Sequence, residues 1–270
     1  MNNLKDILYK VRLVQVIGST DIEVNAICFD SRKVEENAVF VATRGEQVDG
    51  HQFISKAIEL GASVIVCQDL PAEIDKSVVY VKVENTAEAL GLLASNFYDN
   101  PSSKLELVGI TGTNGKTTCV TLLFNLFTDL GFHCGLISTV INKIGERDIV
   151  ATHTTPNAVE LNRLLAEMVD EGVSYCFMEV SSHALIQNRV AGVQFKLAAF
   201  TNITHDHLDY HGTFKEYIDA KKLLFDNLSG DAMALYNSDD RNGSVMVQNC
   251  KAKIHTYAQK SVADFKVKVI

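Results

Sequence analysis

The chain has 270 residues, of which 47% are hydrophobic and 21% are charged, a composition typical of folded globular domains and too apolar for a disordered chain. Its 25 Lys and Arg residues against 33 Asp and Glu residues give a formal net charge of −8, so it lacks the basic surface with which a general nucleic-acid binder offsets phosphate charge. No apolar run approaches the ~20 residues of a membrane span, and the first residues lack the features of a secretory signal, so we expect a two-domain cytoplasmic protein without membrane insertion.

The first hundred residues predict a small α/β domain. Four apolar segments have the character of strands and two amphipathic segments have that of helices. A polar turn at 100–103 contains Pro101, which disfavours a helical conformation in the residue before it. We therefore predict one domain over residues 1–100 and a second over 101–270. The predicted strands are 24–29, 38–43, 62–67 and 78–83, and the predicted helices are 51–60 and 86–98.

Strands and helices alternate after this boundary, which predicts a mostly parallel sheet with helices on both sides. Two of the strands are almost continuously apolar, as expected when both faces of a sheet are covered. The last residues, 265–270, have the pattern of one more strand, which fits either a native C-terminus or a shortened chain. The predicted strands are 105–110, 132–138, 174–180, 196–203 and 231–237, and the predicted helices are 117–131, 156–171 and 214–228.

The six cysteines lie mostly in apolar segments and none belongs to a CxxC pair. This distribution predicts reduced, buried thiols and lacks the spacing of a zinc site. The cysteines are Cys28, Cys67, Cys119, Cys134, Cys176 and Cys250.

The segment 109–118, GITGTNGKTT, stands between a predicted strand and a predicted helix, which is the context of a phosphate-binding loop. Its glycines let backbone N–H groups approach phosphate oxygens, and the helix N-terminus adds partial positive charge. Lys116 would reach the β- and γ-phosphates, and the Thr117 hydroxyl would bind Mg²⁺. Because Ile110 replaces the first glycine of GxxxxGK[ST], a glycine-rich turn without a ligand is the alternative. The loop indicates ATP or GTP but not the reaction.

Imidazole and carboxylate side chains follow two of the predicted strands. The segment NITHDHLDYH at 202–211 comes after one apolar strand, and Glu179 and Ser181-Ser182-His183 come at the end of another. Ligands of parallel sheets bind at the carboxyl ends of the strands. We therefore expect these side chains at the same edge of the sheet as the phosphate loop.

The histidine-rich segment also admits a different class of site, a dinuclear metal hydrolase. Zinc or manganese would be held by His205, His207 and Asp209. The motif of such enzymes requires a histidine where this chain has Tyr210, and the hypothesis leaves the phosphate loop unexplained.

Helix 214–228 has a lysine on its apolar side. Lys221 lies four residues after Tyr217 and three before Leu224, which are both on the apolar stripe. Burial of an ammonium group is costly, so its pKa should fall or its chemistry should change. A neutral amine reacts with CO₂ to give a carbamate, an anionic oxygen ligand suited to Mg²⁺. Periodicity alone favours the other interpretation, a lysine whose stem packs while its amine reaches the surface.

Together these segments resemble the Mur ligase family, which builds the peptide of bacterial cell-wall precursors. The resemblance covers the whole chain in order, and the family has the same short phosphate loop. It is strongest to the branch that extends UDP-N-acetylmuramoyl-L-alanyl-D-glutamate, because EVSSH and DHLDYHG are specific to that branch. The matching segments are Asp30-Ser31-Arg32, GTNGKTT (112–118), HTTPN (153–157), EVSSHAL (179–185), NITHDHLDYHG (202–212) and AKKLLF (220–225).

The resemblance implies an ATP-dependent acid–amino-acid ligase of peptidoglycan synthesis. Such a ligase transfers the γ-phosphoryl group of ATP to the D-glutamate carboxylate, and the amine of a diamino acid, meso-diaminopimelate or L-lysine, then attacks the acyl phosphate. The implied cofactor is Mg²⁺, with ATP as a substrate. The implied partners are the UDP-sugar dipeptide and the diamino acid, without nucleic acid, and the protein is expected to be a monomer. The alternative from another class is a module that binds UDP-sugar and nucleotide without turnover.

The resemblance also assigns roles to individual residues. The implied catalytic residues are Lys116, His207 and Lys221, the last matching the carbamylated lysine of the family. The implied magnesium ligands are Thr117, Glu179, His207 and Lys221. The implied ATP-binding residues are Gly112, Thr113, Asn114, Gly115, Lys116, Thr117 and Thr118. The implied substrate-binding residues are Ser31, Glu46, Gln47, Val48, Thr154, Thr155, Ser181, Gln187 and Arg189.

Members of the family have three domains. The resemblance assigns residues 1–100 to the domain that binds UDP-MurNAc and residues 101–270 to an incomplete central ATP-binding domain. The C-terminal domain, which selects the amino acid and closes over ATP, has no counterpart here. We therefore expect this chain alone to be inactive.

Overall fold

The computed structural model describes residues 2–45, 48–204 and 208–268, without the side chains of Leu208 and Asp209. The chain divides into two compact units, called unit 1 and unit 2 below. Both combine sheets of mostly parallel strands with helices, so the predicted α/β class is confirmed. Unit 1 comprises Met1–Asn100, Ala158–Arg163 and Asn188–Val193, and unit 2 comprises Pro101–Asn157, Leu164–Gln187 and Gln194–Ile270.

Unit 1 is built on a five-stranded sheet. Its elements are β1 (Asn2–Asn3), α1 (Leu4–Ile7), β2 (Leu13–Ile17), β3 (Glu23–Val24), β4 (Ala26–Cys28), β5 (Ala38–Val41), α2 (Ile54–Glu59), β6 (Ala62–Cys67), β7 (Val79–Val83) and α3 (Thr86–Phe97). The strand order is β2-β7-β6-β5-β4, and all neighbours are parallel except β2 and β7. Strands β1 and β3 form a separate antiparallel pair.

Alternate residues of the central strands of unit 1 enter two different apolar clusters. Val39 and Val41 belong to a cluster that includes Leu93 of α3, whereas Phe40 belongs to one that includes Ala57 of α2. Side chains alternate between the two faces of a strand, so helices on both faces require apolar residues at every position. This explains why β5, a central strand of unit 1, is continuously apolar in sequence.

Unit 2 is built on a nine-stranded sheet. The elements from residue 106 onwards are β8 (Glu106–Thr111), α4 (Lys116–Asp129), β9 (Cys134–Ile137), β10 (Ile141–Ile144), β11 (Arg147–Val150), α5 (Ala158–Asp170), β12 (Tyr175–Glu179), α6 (Ser182–Ile186), β13 (Leu197–Phe200), α7 (Leu208–His211), α8 (Phe214–Asp226), β14 (Met233–Asn237), α9 (Gly243–Met246), β15 (Lys253–Ala258) and β16 (Phe265–Lys266). The strand order is β11-β10-β9-β12-β8-β13-β14-β15-β16. All neighbours are parallel except those that involve β10.

An aromatic cluster fixes α4 to the sheet of unit 2. The ring of Phe127 lies 4.8 Å from that of Tyr175 and 5.1 Å from that of Phe177, both on β12, and 5.7 Å from that of Phe132. Burial of an aromatic side chain of this size contributes about 2–3 kcal/mol. The packing sets the direction of α4 and hence the position of its N-terminus, where the phosphate loop ends.

Several element boundaries differ from the sequence-based expectation. The predicted helix 51–60 begins as a 3₁₀ turn, Gly50–Phe53, before α2. The predicted strand 196–203 ends at Phe200, because the next residues turn towards the phosphate loop. The hairpin of β10 and β11 was not predicted. The strand expected at the end of the chain is limited to β16, with residues 269–270 outside the described part.

All six cysteines have free thiols. Burial raises the pKa of Cys28 to about 12 and that of Cys67 to about 11, so both remain protonated at neutral pH. In the described part of the chain, no helix combines the length and the apolar character that crossing a membrane would require.

Candidate functional site

The phosphate loop connects β8 to α4 in unit 2. Strand β8 ends at Thr111 and α4 begins at Lys116. Gly112 has φ +148°, and a Cβ at this position would lie 2.0 Å from Thr201 Oγ1. Gly115 has φ +85° and caps the helix. Both glycines are needed for their conformation, and Gly112 is also needed for space.

The segment after β13 holds the phosphate loop in place. The Asn114 N–H donates to Asn202 Oδ1 over 3.1 Å, and Asn202 Nδ2 donates back to the Asn114 carbonyl oxygen over 3.1 Å. The Thr113 N–H donates to the Asn202 carbonyl oxygen over 2.8 Å. The Thr204 N–H donates to Thr113 Oγ1 over 3.0 Å. The amide side chain of Asn202 thus forms hydrogen bonds with both the backbone N–H and the backbone carbonyl group of Asn114. Nothing in the sequence indicated this role.

Two lysine amines share one carbonyl oxygen of the loop. Lys116 Nζ donates to the carbonyl oxygens of Gly112 and Thr113, each over 2.9 Å. Lys221 Nζ donates to the same Gly112 oxygen over 3.0 Å. The Lys116 ammonium group and the N-terminus of α4 both place positive charge at the loop, as phosphate binding requires.

Lys221 is buried and does not reach the surface. Its side chain is 1% exposed, and its Nζ lies 4.5 Å from the ring centroid of Tyr217, a cation–π contact. The surface-reaching interpretation favoured by periodicity is therefore wrong. A capping box between Thr213 and Glu216 starts α8 at Phe214 and so sets the position of Lys221 along the helix.

Glu179 ends β12 with a buried carboxylate that is 1% exposed. Its Oε1 accepts hydrogen bonds from the N–H and the Oγ1 of Thr139, over 2.8 and 3.1 Å. Its Oε2 is buried and has no hydrogen-bond partner in the described part of the chain. An unsatisfied carboxylate oxygen is costly to bury, and oxygen is the ligand that Mg²⁺ prefers. Glu179 thus fits a cation ligand, and Thr139 is a site residue that sequence reasoning missed.

Hydroxyl groups of three predicted substrate residues lie next to Glu179. Thr139 Oγ1, whose proton goes to Glu179, accepts a hydrogen bond from Thr154 Oγ1 over 3.1 Å. Thr155 Oγ1 donates to the Glu179 carbonyl oxygen over 2.9 Å and accepts from the Ser181 N–H over 3.1 Å. The structure therefore brings Thr154, Thr155 and Ser181 together.

A group of aromatic and imidazole rings lies beside Lys221. His211 lies 5.0 Å from both the Tyr210 and the Tyr217 rings, and its Nε2 is 2.9 Å from Ser182 Oγ. Gln187, a predicted substrate residue, donates from Nε2 to Tyr210 Oη over 3.1 Å. These contacts tie α6, α7 and α8 to one another within unit 2.

The remaining predicted site residues are distributed as follows. Ser31 is buried in a 3₁₀ turn of unit 1, Val48 is exposed in unit 1, and Arg189 lies half-buried in a segment of unit 1. Thr117 is half-buried in the first turn of α4, and Thr118 is exposed there. Positions outside the described residues, or with an undescribed side chain, are Glu46, Gln47, His205, His207 and Asp209. Among the side chains that are described, no three His, Cys, Asp or Glu residues converge as a metal site.

Two family models cover most of the chain. The model described as Mur ligase middle domain matches residues 110–270, and the one described as Mur ligase family, catalytic domain, matches residues 23–98. The chain belongs to the Mur ligase family. The resemblance inferred from the motifs is thereby confirmed.

The Mur ligases most similar to this chain include two bacterial proteins named UDP-N-acetylmuramoyl-L-alanyl-D-glutamate–2,6-diaminopimelate ligase. That of Cytophaga hutchinsonii is 58% identical over 269 residues, which is 99% of this chain and 55% of the relative. That of Phocaeicola vulgatus is 51% identical over 267 residues, again 99% of this chain and 55% of the relative. The chain thus spans about half the length of the curated relatives it matches. Neither the hydrolase nor the non-catalytic module is favoured by these matches.

Solved structures of Mur ligases have the same fold. A structure of a UDP-N-acetylmuramoyl-L-alanyl-D-glutamate–2,6-diaminopimelate ligase superposes with a TM-score of 0.83 at 26% identity, covering 98% of this chain and 54% of the other. The MurF ligase of Thermotoga maritima, solved in complex with ADP, gives a TM-score of 0.56 at 20% identity, covering 88% of this chain and 51% of the other. At that identity the second match shows the fold alone.

Proposed function

We propose that this chain is the nucleotide-binding and UDP-sugar-binding part of an ATP-dependent ligase. The ligase adds 2,6-diaminopimelate to the D-glutamate of UDP-N-acetylmuramoyl-L-alanyl-D-glutamate and acts as a cytoplasmic monomer. The observation that carries the proposal is the pair of lysines, Lys116 and Lys221, on the carbonyl oxygen of Gly112. The names of the similar Mur ligases support the choice of substrate.

The phosphate loop binds the triphosphate of ATP. Backbone N–H groups from Gly115 to Thr118, at the N-terminus of α4, contact the phosphate oxygens, since those of Thr113 and Asn114 donate to Asn202. Lys116 exchanges its loop carbonyl partners for the γ-phosphoryl group, where its charge stabilises the transferring group. Charge stabilisation supplies most of the catalysis in phosphoryl transfer. Loss of the Lys116 amine should therefore greatly reduce the rate of this step.

Glu179 and Thr117, with His207 as a further ligand, would hold Mg²⁺, which would neutralise phosphate charge when bound. Lys221 contributes once its amine has reacted with CO₂ to give a carbamate and a proton. The carbamate nitrogen keeps one N–H, which suffices for the hydrogen bond to the Gly112 oxygen.

The UDP-sugar dipeptide supplies the carboxylate that is phosphorylated. Residues 1–100 bind the uridine nucleotide, and residues 101–270 bind ATP. One D-glutamate carboxylate oxygen attacks the γ-phosphorus and ADP leaves, and the amine of diaminopimelate then displaces phosphate from the acyl carbon. The proposed substrate contacts are Ser31, Glu46, Gln47, Val48, Thr154, Thr155, Ser181, Gln187 and Arg189.

Calorimetric titration with each substrate tests the proposal on this chain. We expect saturable binding of the UDP-sugar dipeptide and, separately, of ADP with Mg²⁺. Free UDP is the matched control for the sugar peptide and should bind more weakly. A parallel assay follows phosphate release with ATP, the UDP-sugar dipeptide and diaminopimelate, and any release should depend on diaminopimelate. Absence of saturable binding of both ligands would overturn the proposal.

A further inference from the structure

Tyr217 contacts both the phosphate loop and the buried lysine. The side chain is 0% exposed on α8. Its ring lies under the Lys221 amine, 4.5 Å from ring centroid to Nζ, and its hydroxyl lies 3.2 Å from Thr113 Oγ1. One residue therefore connects a backbone turn and a charged side chain that are 108 positions apart in sequence (Thr113 and Lys221).

The hydroxyl of Tyr217 completes the hydrogen bonds of Thr113. Thr113 Oγ1 accepts from the Thr204 N–H over 3.0 Å and lies 3.4 Å from the Thr204 carbonyl oxygen. A hydroxyl has one proton to donate and two lone pairs to accept with. If Thr113 donates to the Thr204 oxygen, its second lone pair accepts the Tyr217 proton. This arrangement satisfies all three groups and holds Thr113 against residue 204.

Other contacts fix the orientation of the Tyr217 ring. The His211 ring lies 5.0 Å away and is itself held by the contact of its Nε2 with Ser182 Oγ, 2.9 Å long. The capping box at Thr213 fixes the helix turn that carries the tyrosine. These contacts restrain the ring, as is required of a residue that positions others.

We propose that Tyr217 is a positioning residue that holds Thr113 of the phosphate loop and the Lys221 amine in a fixed relation to each other. Its consequence for nucleotide affinity rests on the proposed function. Its consequence for the loop itself does not, because the contact with Thr113 exists without a ligand.

Hydrogen exchange of backbone amides, measured by NMR, tests the inference on the whole chain. Tyr217→Phe removes the hydroxyl and keeps the ring beneath Lys221. We expect the amides of Thr113 and Thr204 to exchange about five- to tenfold faster, the effect of losing one buried hydrogen bond. Tyr80→Phe is the matched control. Tyr80 is also 0% exposed, and its hydroxyl accepts one hydrogen bond, from the Asp75 N–H, in unit 1.

The Lys221 half of the inference is tested by Tyr217→Leu, which also removes the ring. We expect the Lys221 Cε and Nζ resonances to shift in Tyr217→Leu and to remain close to wild type in Tyr217→Phe. ADP affinity with Mg²⁺ should fall about threefold or more in Tyr217→Phe and further in Tyr217→Leu. If wild type does not bind ADP, the proposed function fails while the exchange rates still decide the inference. The inference would be overturned if the Thr113 and Thr204 amides of Tyr217→Phe exchanged within twofold of wild type. It would also be overturned if Tyr80→Phe changed the exchange of these two amides equally.

Discussion

Thr139 donates two hydrogen bonds to the same carboxylate oxygen of Glu179, and the other oxygen of that carboxylate has no partner within the residues described. The backbone and side chain of one residue thus orient a buried acid. Because Oε1 is occupied by the protein, Oε2 is left for a cation. Thr139 acts on the proposed magnesium site without being a ligand.

Removal of the Thr139 hydroxyl should weaken magnesium-dependent nucleotide binding. Thr139→Val keeps the shape and the backbone donor but loses one hydrogen bond to a charged acceptor, worth about 1.5–3 kcal/mol. We expect the concentration of Mg²⁺ needed for half-maximal ADP binding to rise about tenfold. Thr139→Ser keeps the donor and should behave as wild type. Equal behaviour of the valine and serine variants would contradict the orienting role.

Gly112→Ala should disrupt the loop through a steric clash as well as through backbone strain. The added Cβ would lie 2.0 Å from Thr201 Oγ1, at a residue with φ +148°. Gly172→Ala is a matched control, because Gly172 has φ +76° and open space around its Cβ position. Thermal unfolding should show about 1 kcal/mol of destabilisation for the control and clearly more for Gly112→Ala. ADP binding should be lost only in the latter, and its retention there would contradict the described loop.

The strands and helices that flank the loop could be predicted from sequence, whereas the contacts that shape it could not. Apolar periodicity reports which face of an element is buried, and so it identified β8, α4 and β12. It does not report which distant segment packs there. The pairing of Asn114 with Asn202 and the clash partner of Gly112 are set by the adjacency of β8 and β13, which only the tertiary fold establishes.

Lys221 was misread by periodicity for a related reason. The helical pattern correctly placed this lysine on the buried side but could not identify a partner for its amine. An amine that reaches the surface avoids the free-energy cost of burial, so that interpretation was favoured. In the structure the Lys221 amine contacts the Gly112 carbonyl oxygen and the Tyr217 ring. The resemblance to the family favoured a lysine that stays inside the protein, which agrees with the observed burial, and its carbamylation stays a prediction.

Lys221 should take up CO₂ at neutral pH. In ¹³C-bicarbonate buffer we expect a carbamate carbonyl resonance that is absent from Lys221→Gln. Lys222→Gln is the matched control, because Lys222 is the adjacent buried lysine and its amine is neutralised by Asp226. The resonance should persist in this control. A spectrum without a carbamate signal in wild type, or one whose signal survives Lys221→Gln, would contradict the assignment.

Asp30 should titrate in the acid range. Hydrogen bonds from the Arg32 side chain and backbone N–H lower the pKa of Asp30 from 3.8 to about 2. Because the folded pKa lies below the unfolded one, the ion pair stabilises the fold fully above about pH 4, and this contribution is lost as the pH falls to about 2. A ¹³C titration of the Asp30 carboxyl should show the low pKa in wild type and a higher one in Arg32→Gln. An unchanged pKa in the variant would contradict the ion-pair origin.

The central claim is that residues 112–118 bind the phosphates of ATP. The most direct test compares wild type with Lys116→Ala in a titration with a non-hydrolysable ATP analogue and Mg²⁺. We predict saturable binding to wild type, at least tenfold weaker binding to Lys116→Ala, and equal affinity of both proteins for the UDP-sugar dipeptide. Equal affinity of the two proteins for the nucleotide would contradict the claim.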